Sequence, residues 1–140
     1  MISGWPSHHE KAVLRFYEDI WNRLDFPAIP ELLAPGFTFR GSLGEVRVGH
    51  GEFGDYVNGG TGALAEYVCS IEALVAQESR VAARMMFSGT HRATFRGLPA
   101  TGRRVSWAGA GFFTFHDDLI SDLWVLGDLH TLDQQLRATP

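Results

Sequence analysis

A single cysteine, Cys69, stands among 140 residues, so the chain can build neither an intramolecular disulfide framework nor a cysteine-based metal cluster. A reducing cytoplasm is the expected location. Long runs of one charge are also missing. Twelve Lys and Arg against sixteen Asp and Glu give a net charge of −4 and a pI near 5.8, a balance that argues against nucleic acid or an anionic membrane surface as partner. No stretch approaches the ~20 apolar residues that span a bilayer, and residues 1–9 lack the basic start and apolar run of a signal peptide. The reading is a soluble, unexported protein. His8, His9, His50, His116 and His130 form no H-E-x-x-H pattern, and no G-x-S-x-G elbow is present. The glycines of residues 49–62 lack the lysine and hydroxyl of a phosphate-binding loop. These residues offer no metal-site pattern and no phosphate-binding pattern.

What is present is a hydrophobic fraction of 45%, enough for one well-filled core and too little chain for two, which predicts a single domain over residues 1–140. Ser7-His8-His9-Glu10 has the spacing of a capping box and marks a helix start. Val13, Phe16, Tyr17, Ile20 and Leu24 follow at helical spacing and form one stripe that must be buried. Residues 26–33 read as a second short helix, with prolines near its start and Pro35-Gly36 past its end. Residues 37–40 alternate as a brief strand. Residues 49–62 place Phe53, Tyr56 and Val57 at helical spacing, but Gly59-Gly60 and Gly62 weaken a helix by about 1 kcal/mol each. That predicts a short helix and then a mobile turn, a lid or entrance.

From about residue 65 the period changes to two. Residues 67–76, 80–95, 105–115 and 120–127 are rich in β-branched and aromatic residues and are separated by turn-like segments, which predicts an antiparallel meander. A short helix near 131–136 follows, with Thr131 and Gln134 at capping-box spacing. Helices first and strands afterwards is the α+β order. A bent sheet closed by helices makes a cone whose interior is the natural place for a small-molecule pocket.

The residues Gly89-Thr90-His91, the segment Gly97-Leu98-Pro99-Ala100-Thr101-Gly102-Arg103-Arg104-Val105, residues 113–115, Ile120, Trp124 and Asp128, with Phe16-Tyr17-Glu18 and Trp21-Asn22 near the amino terminus, resemble the SnoaL-like polyketide cyclases of the NTF2-like superfamily. The resemblance implies an NTF2-like cone, a curved antiparallel sheet wrapped around amino-terminal helices with a short carboxy-terminal helix. It also implies no cofactor, and a homodimer paired through the outer sheet face around Phe112. In that family a buried aspartate of the last strand acts as acid/base in an aldol ring closure and a neighbouring histidine assists; the matching positions are Asp128 and His91. Isomerases, dehydratases, epoxide hydrolases and pockets without known chemistry share the superfamily, so the fold alone does not fix the activity. Where relatives carry glycine in the last hairpin, this chain has Asp117-Asp118-Leu119, which predicts a different local turn.

In an unbroken strand Ile120, Asp122, Trp124, Leu126 and Asp128 point to one face. With three apolar members, that face is expected to be the pocket. A desolvated Asp128 would then have a raised pKa, as an acid/base near neutral pH requires, whereas an Asp128 that caps the final helix would have a lowered one. His91 either polarises a carbonyl beside Asp128 or is a satisfied strand histidine. Asp122 either shares the pocket, with Arg84 in an epoxide hydrolase-like arrangement, or pairs with Arg84 or Arg92 as a structural residue. Tyr17, Trp21, Tyr56, Phe87, Phe113 and Trp124 are candidates for an aromatic wall or for plain core. Two functions follow: a cofactor-free cyclase or isomerase that forms an enolate from a small hydrophobic carbonyl compound, or a non-catalytic binding protein that holds an aromatic or lipid-like metabolite in the same cone.

Overall fold

The computed structural model describes residues 7–138; residues 1–6, part of the segment read for a signal peptide, lie outside them. Helix α1 (His8–Arg15) begins at Ser7, whose hydroxyl accepts from the Glu10 amide while the Glu10 carboxylate accepts from the Ser7 amide. The capping box read from the sequence is in place. The helix runs directly into a π-helical turn, Phe16–Asn22, that buries Phe16, Tyr17, Ile20 and Trp21. Leu24, counted into the same stripe, is 44% exposed with φ of +56°. The wider π turn and the left-handed residue after it end the helical period before Leu24 is reached.

Helix α2 (Ala28–Leu32) leads into β1 (Leu33–Arg40), which begins four residues earlier than the sequence pattern indicates. A three-residue strand β2 (Val46–Val48) turns back on β1 and was not legible in the sequence. Helix α3 spans Gly49–Ala63 without a break, in place of the expected short helix and mobile turn. Phe53, Val57 and Thr61, four residues apart, are all buried. Burying a side chain such as Phe53 contributes about 1.5–3 kcal/mol, which outweighs the ~1 kcal/mol cost of each helical glycine.

The remaining strands form the predicted meander: β3 (Leu64–Gln77), β4 (Arg80–His91), β5 (Arg104–His116) and β6 (Leu119–Gly127). The sheet order is β2-β1-β6-β5-β4-β3. Every neighbouring pair is antiparallel except β1 beside β6, which is parallel. The hairpins close on Glu78 and Asp117, each with φ of +54°. Asp117 thus adopts the left-handed conformation that glycine usually supplies, and the turn differs locally without altering the sheet. His9 pins α1 across both turns: its ring nitrogens lie 3.0 Å from the Glu78 carbonyl and 2.9 Å from that of Asp117, and its ring stacks on Phe115 at 4.0 Å.

One irregularity decides which side chains face inward. Phe115 pairs with Ile120 but Thr114 pairs with Asp122, so Ser121 is an extra residue in β6. Such a bulge reverses the strand's alternation. Ile120 is buried, and beyond the bulge Leu123 and Val125 are buried while Asp122, Trp124 and Leu126 are exposed. Leu123→Ala is expected to cost about 2–5 kcal/mol in chemical denaturation. Asp122→Ala, on the outer face, is expected to cost less than about 1 kcal/mol; the reverse ranking would contradict this register.

Candidate functional site

The concave face of the sheet is wider than the π turn and α3 that fill it, and the unfilled part is a cavity of about 380 Å³. Its wall is largely aromatic. Tyr17 and Trp21 come from the π turn, Phe39 from β1, Tyr56 from α3, Phe87 from β4 and Trp107 from β5. The rings brace one another edge to face, with centroids 6.0 Å apart for Trp21 and Tyr56 and 4.8 Å for Phe39 and Tyr56, an arrangement suited to ring quadrupoles. Phe87 and Trp107 stack at 5.3 Å across β4 and β5. Close approach depends on glycine: a Cβ at Gly41 would meet the Tyr56 hydroxyl at 2.5 Å, and one at Gly109 would meet the Phe87 ring.

Polar groups on this wall are few. The Tyr17 hydroxyl and the Trp21 indole nitrogen are buried and have no hydrogen-bond partner. Leaving such a group unpaired costs about 1–3 kcal/mol. Burial holds the Tyr17 phenol well above its ordinary pKa, with Cys69 adding to the effect, so it stays protonated and is a hydrogen-bond donor. Charge is confined to Arg47, Asp55 and Arg96. Arg96 is committed to Asp133 of helix α4 (Leu129–Arg137) through two bonds of 2.6 and 2.9 Å. Asp55 is the one carboxylate lining the cavity among the described residues.

The six aromatic residues expected at the wall divide. Tyr17, Trp21, Tyr56 and Phe87 line the cavity. Phe113 is 1% exposed and packs edge to face on Phe16 and Tyr17 as core behind the wall. Trp124 is 40% exposed on the opposite side of the sheet, under the Arg40 guanidinium at 4.8 Å.

Asp128 does not face the cavity. It is an exposed N-cap of α4, with its carboxylate accepting from the Thr131 amide at 3.0 Å and the Thr131 hydroxyl at 2.6 Å. Those bonds, hydroxyl first, hold its pKa below the ordinary value. The expected raised pKa is overturned by the Ser121 bulge, beyond which the even-numbered residues of β6 face outward, and Thr131 caps nothing itself. Asp122 lies outside too, accepting a bond from the Thr38 hydroxyl on the outer face. Neither expected arginine reaches it: Arg84 is 3.9 Å from Glu72, and Arg92 donates to the carbonyls of Thr61 and Gly62. The epoxide hydrolase-like pairing of Asp122 with Arg84 is therefore not assembled.

His91 is buried on the inner face of β4 but does not line the cavity. Its strand partner Leu64 and its ring neighbour Phe95, at 6.4 Å, do. Its Nδ1 accepts from the Thr101 amide at 3.2 Å and sits 3.0 Å from the Thr101 hydroxyl, which ties down the β4–β5 connection. An amide can only donate, so the neutral ring carries its proton on Nε2, which has no partner. Of the cavity residues the sequence reading missed, Trp107 shares the inward parity of Phe113 on β5. Arg47 and Asp55 were not singled out, because β2 was not recognised and the helical reading of residues 49–62 marked only its apolar residues.

No helix among the described residues is long and apolar enough to cross a membrane, and no group of three or more His, Cys, Asp or Glu among them is placed to hold a metal ion. Asp128→Ala should lower the melting temperature at neutral pH. Because the folded-state pKa is depressed, the bonds to Thr131 contribute fully above the ordinary aspartate value of 3.8. Their contribution is lost as pH falls through the lower folded value. Thermal scans by circular dichroism from pH 7 to pH 2 should show the gap between the two proteins closing on acidification; a gap that widens would contradict the capping role.

The sequence family described as SnoaL-like polyketide cyclase matches residues 11–136. No curated protein matches this sequence. Among solved structures, a proposed SnoaL-like polyketide cyclase from Jannaschia sp. CCS1 is similar with a TM-score of 0.88 at 18% identity, covering 100% of this chain and 99% of that one. TsrD from Streptomyces laurentii is similar with a TM-score of 0.83 at 25% identity, covering 94% and 96%. AclR from Streptomyces galilaeus, a proposed hydroxylase, gives 0.79 at 26% identity, covering 94% and 97%.

Proposed function

This chain belongs to the SnoaL-like polyketide cyclase family, and we propose that it binds a flat, hydrophobic carbonyl compound in its cone and removes a proton from the carbon beside that carbonyl. The C–H proton passes to the Asp55 carboxylate, and the electron pair moves onto the carbonyl oxygen to give an enolate. In ring closure the enolate carbon then attacks a second carbonyl of the same molecule, and the alkoxide formed there takes the proton back from Asp55; in isomerisation the enolate regains that proton at another carbon. Either outcome needs no added oxidant or reductant.

The observation that carries this reading is the pair of buried, unpartnered donors, the Tyr17 hydroxyl and the Trp21 indole N–H, on two residues that line a largely apolar cavity. Donors fixed before the reaction stabilise oxygen charge as it develops, and they act most strongly where water is excluded. Flat ligands suit the wall formed by Trp21, Tyr56, Phe87 and Trp107. The role of Asp55 rests on its being the cavity's carboxylate, since Asp128 and Asp122 lie outside.

A carrier without chemistry is the second reading, favoured by the position of Asp55 on an exposed stretch of α3 rather than deep in the cone. Exchange of the acidic C–H of polycyclic aromatic β-diketones into deuterium oxide, followed by proton NMR, separates the two. Wild-type protein should accelerate exchange, Tyr17→Phe should slow it by about 10²-fold, and Asp55→Asn by about 10²–10⁴-fold. Exchange no faster than in buffer, with diketones that demonstrably bind, would leave the carrier.

The assembly proposed is a homodimer through the outer face of β5 and β6, where Phe112 and Leu126 are each 52% exposed beside Trp124. Contiguous exposed apolar area of this kind supports a partner surface. Sedimentation at micromolar concentration should give twice the 15.5 kDa chain mass, and Phe112→Glu should give the single chain; a wild-type monomer would refute the pairing.

A further inference from the structure

Arg47 is the cavity group that the proposed chemistry leaves unused, and its surroundings are unlike those of the other arginine at the wall. Arg96 spends two donors on Asp133. Arg47 gives one bond, from Nη2 to Glu45 at 2.8 Å, while its Nε is buried and without a partner. The guanidinium lies over the Tyr56 ring, 5.6 Å from its centroid, and Tyr56 itself lines the cavity. Side-chain exposure is 37% for Arg47 and 69% for Glu45. The arginine is thus half-buried at the cavity mouth, with its one tether in solvent.

From this geometry we propose that Arg47 anchors a carboxylate on the ligand, so that the cavity takes aromatic acids with the ring system in the cone and the carboxylate at the mouth. The inference rests on the cavity being a ligand site, as proposed above, but not on the proton-transfer step. The Nε and Nη2 donors lie along one edge of the guanidinium, the edge that pairs side-on with a carboxylate. Glu45 reaches Nη2 alone and, being exposed, is cheaply displaced. A ligand carboxylate brought in by its ring system would satisfy the orphaned Nε–H and share Nη2. Charge-assisted bonds of this kind are about twice as strong as those to a neutral amide or ester oxygen. Asp55, at the same wall, repels an anion elsewhere along the mouth and so directs the carboxylate to Arg47.

Binding of 2-naphthoate and of the isosteric 2-naphthamide to the full-length protein, followed by quenching of tryptophan fluorescence and by calorimetry, tests the assignment. Wild-type protein should bind the acid about tenfold more tightly than the amide. Arg47→Met should abolish that preference and change amide binding by less than about threefold. Arg47→Lys keeps the charge but not the planar edge, and should retain only part of the preference. Far-ultraviolet circular dichroism of each variant reports whether the fold is intact. Equal binding of the two probes by wild-type protein, or an undiminished preference in folded Arg47→Met, would overturn the role of Arg47 while leaving the cavity a ligand site. Failure of both naphthyl probes to bind would instead remove the ligand-site reading on which the proposal stands.

Discussion

The fold depends on a concave sheet closing around a helical segment too narrow to fill it. The π turn Phe16–Asn22 presents four buried side chains to that concavity, and α3 adds Phe53 and Val57. Phe53 stacks on Phe16 at 5.5 Å and meets Phe37 and Phe39 at 5.3 and 5.2 Å, which cements the narrow end. Toward the open end the strands carry Gly109, Gly111 and Gly127 on their inner face, and the rings of Phe87 and Trp107 lean over that space. The cavity is what remains when rigid aromatic rings, which cannot collapse into gaps as aliphatic chains can, line a curved wall.

That constraint also explains the unpartnered donors. Tyr17 and Trp21 are four residues apart, about one turn, so both come to the cavity side of the helical segment. Their rings pack against those of Phe113, Phe53 and Tyr67, the Tyr17 hydroxyl lies beside Gly111, and neither polar atom meets an acceptor. Core packing alone would favour phenylalanine at both positions. A hydroxyl and an indole N–H kept there at a cost are most simply understood as groups whose partner arrives with the ligand.

The sequence made the order of elements legible because each long segment keeps one period throughout: the capped stripe of α1, then two-residue alternation from β3 to β6. It was silent where a local departure from periodicity decides the outcome. A single added residue at Ser121 reverses the face of Asp122, Trp124 and Leu126, and alternation read across it assigns all three to the wrong side. The glycines of α3 concealed the full length of a helix that tertiary burial of Phe53, Val57 and Thr61 sustains to Ala63. Part of the cavity wall was still readable, since Tyr17, Trp21, Tyr56 and Phe87 follow from helical and strand spacing. Asp55 and Arg47 were not: the strand that carries Arg47 was not recognised, and the short helix read within residues 49–62 drew attention only to its apolar residues. Asp128 and His91 were selected by resemblance, and here they hold together the start of α4 and the β4–β5 connection.

The central claim is that ligand oxygen meets Tyr17 and Trp21 inside the cone. A crystal structure with a bound polycyclic aromatic ketone tests it most directly. The account places the carbonyl oxygen within about 3.2 Å of the Tyr17 hydroxyl or the Trp21 indole nitrogen, with the ring system between Tyr56 and Trp107. A ligand seated instead against Asp128, or on the outer sheet face, with both donors still unpartnered, would contradict it.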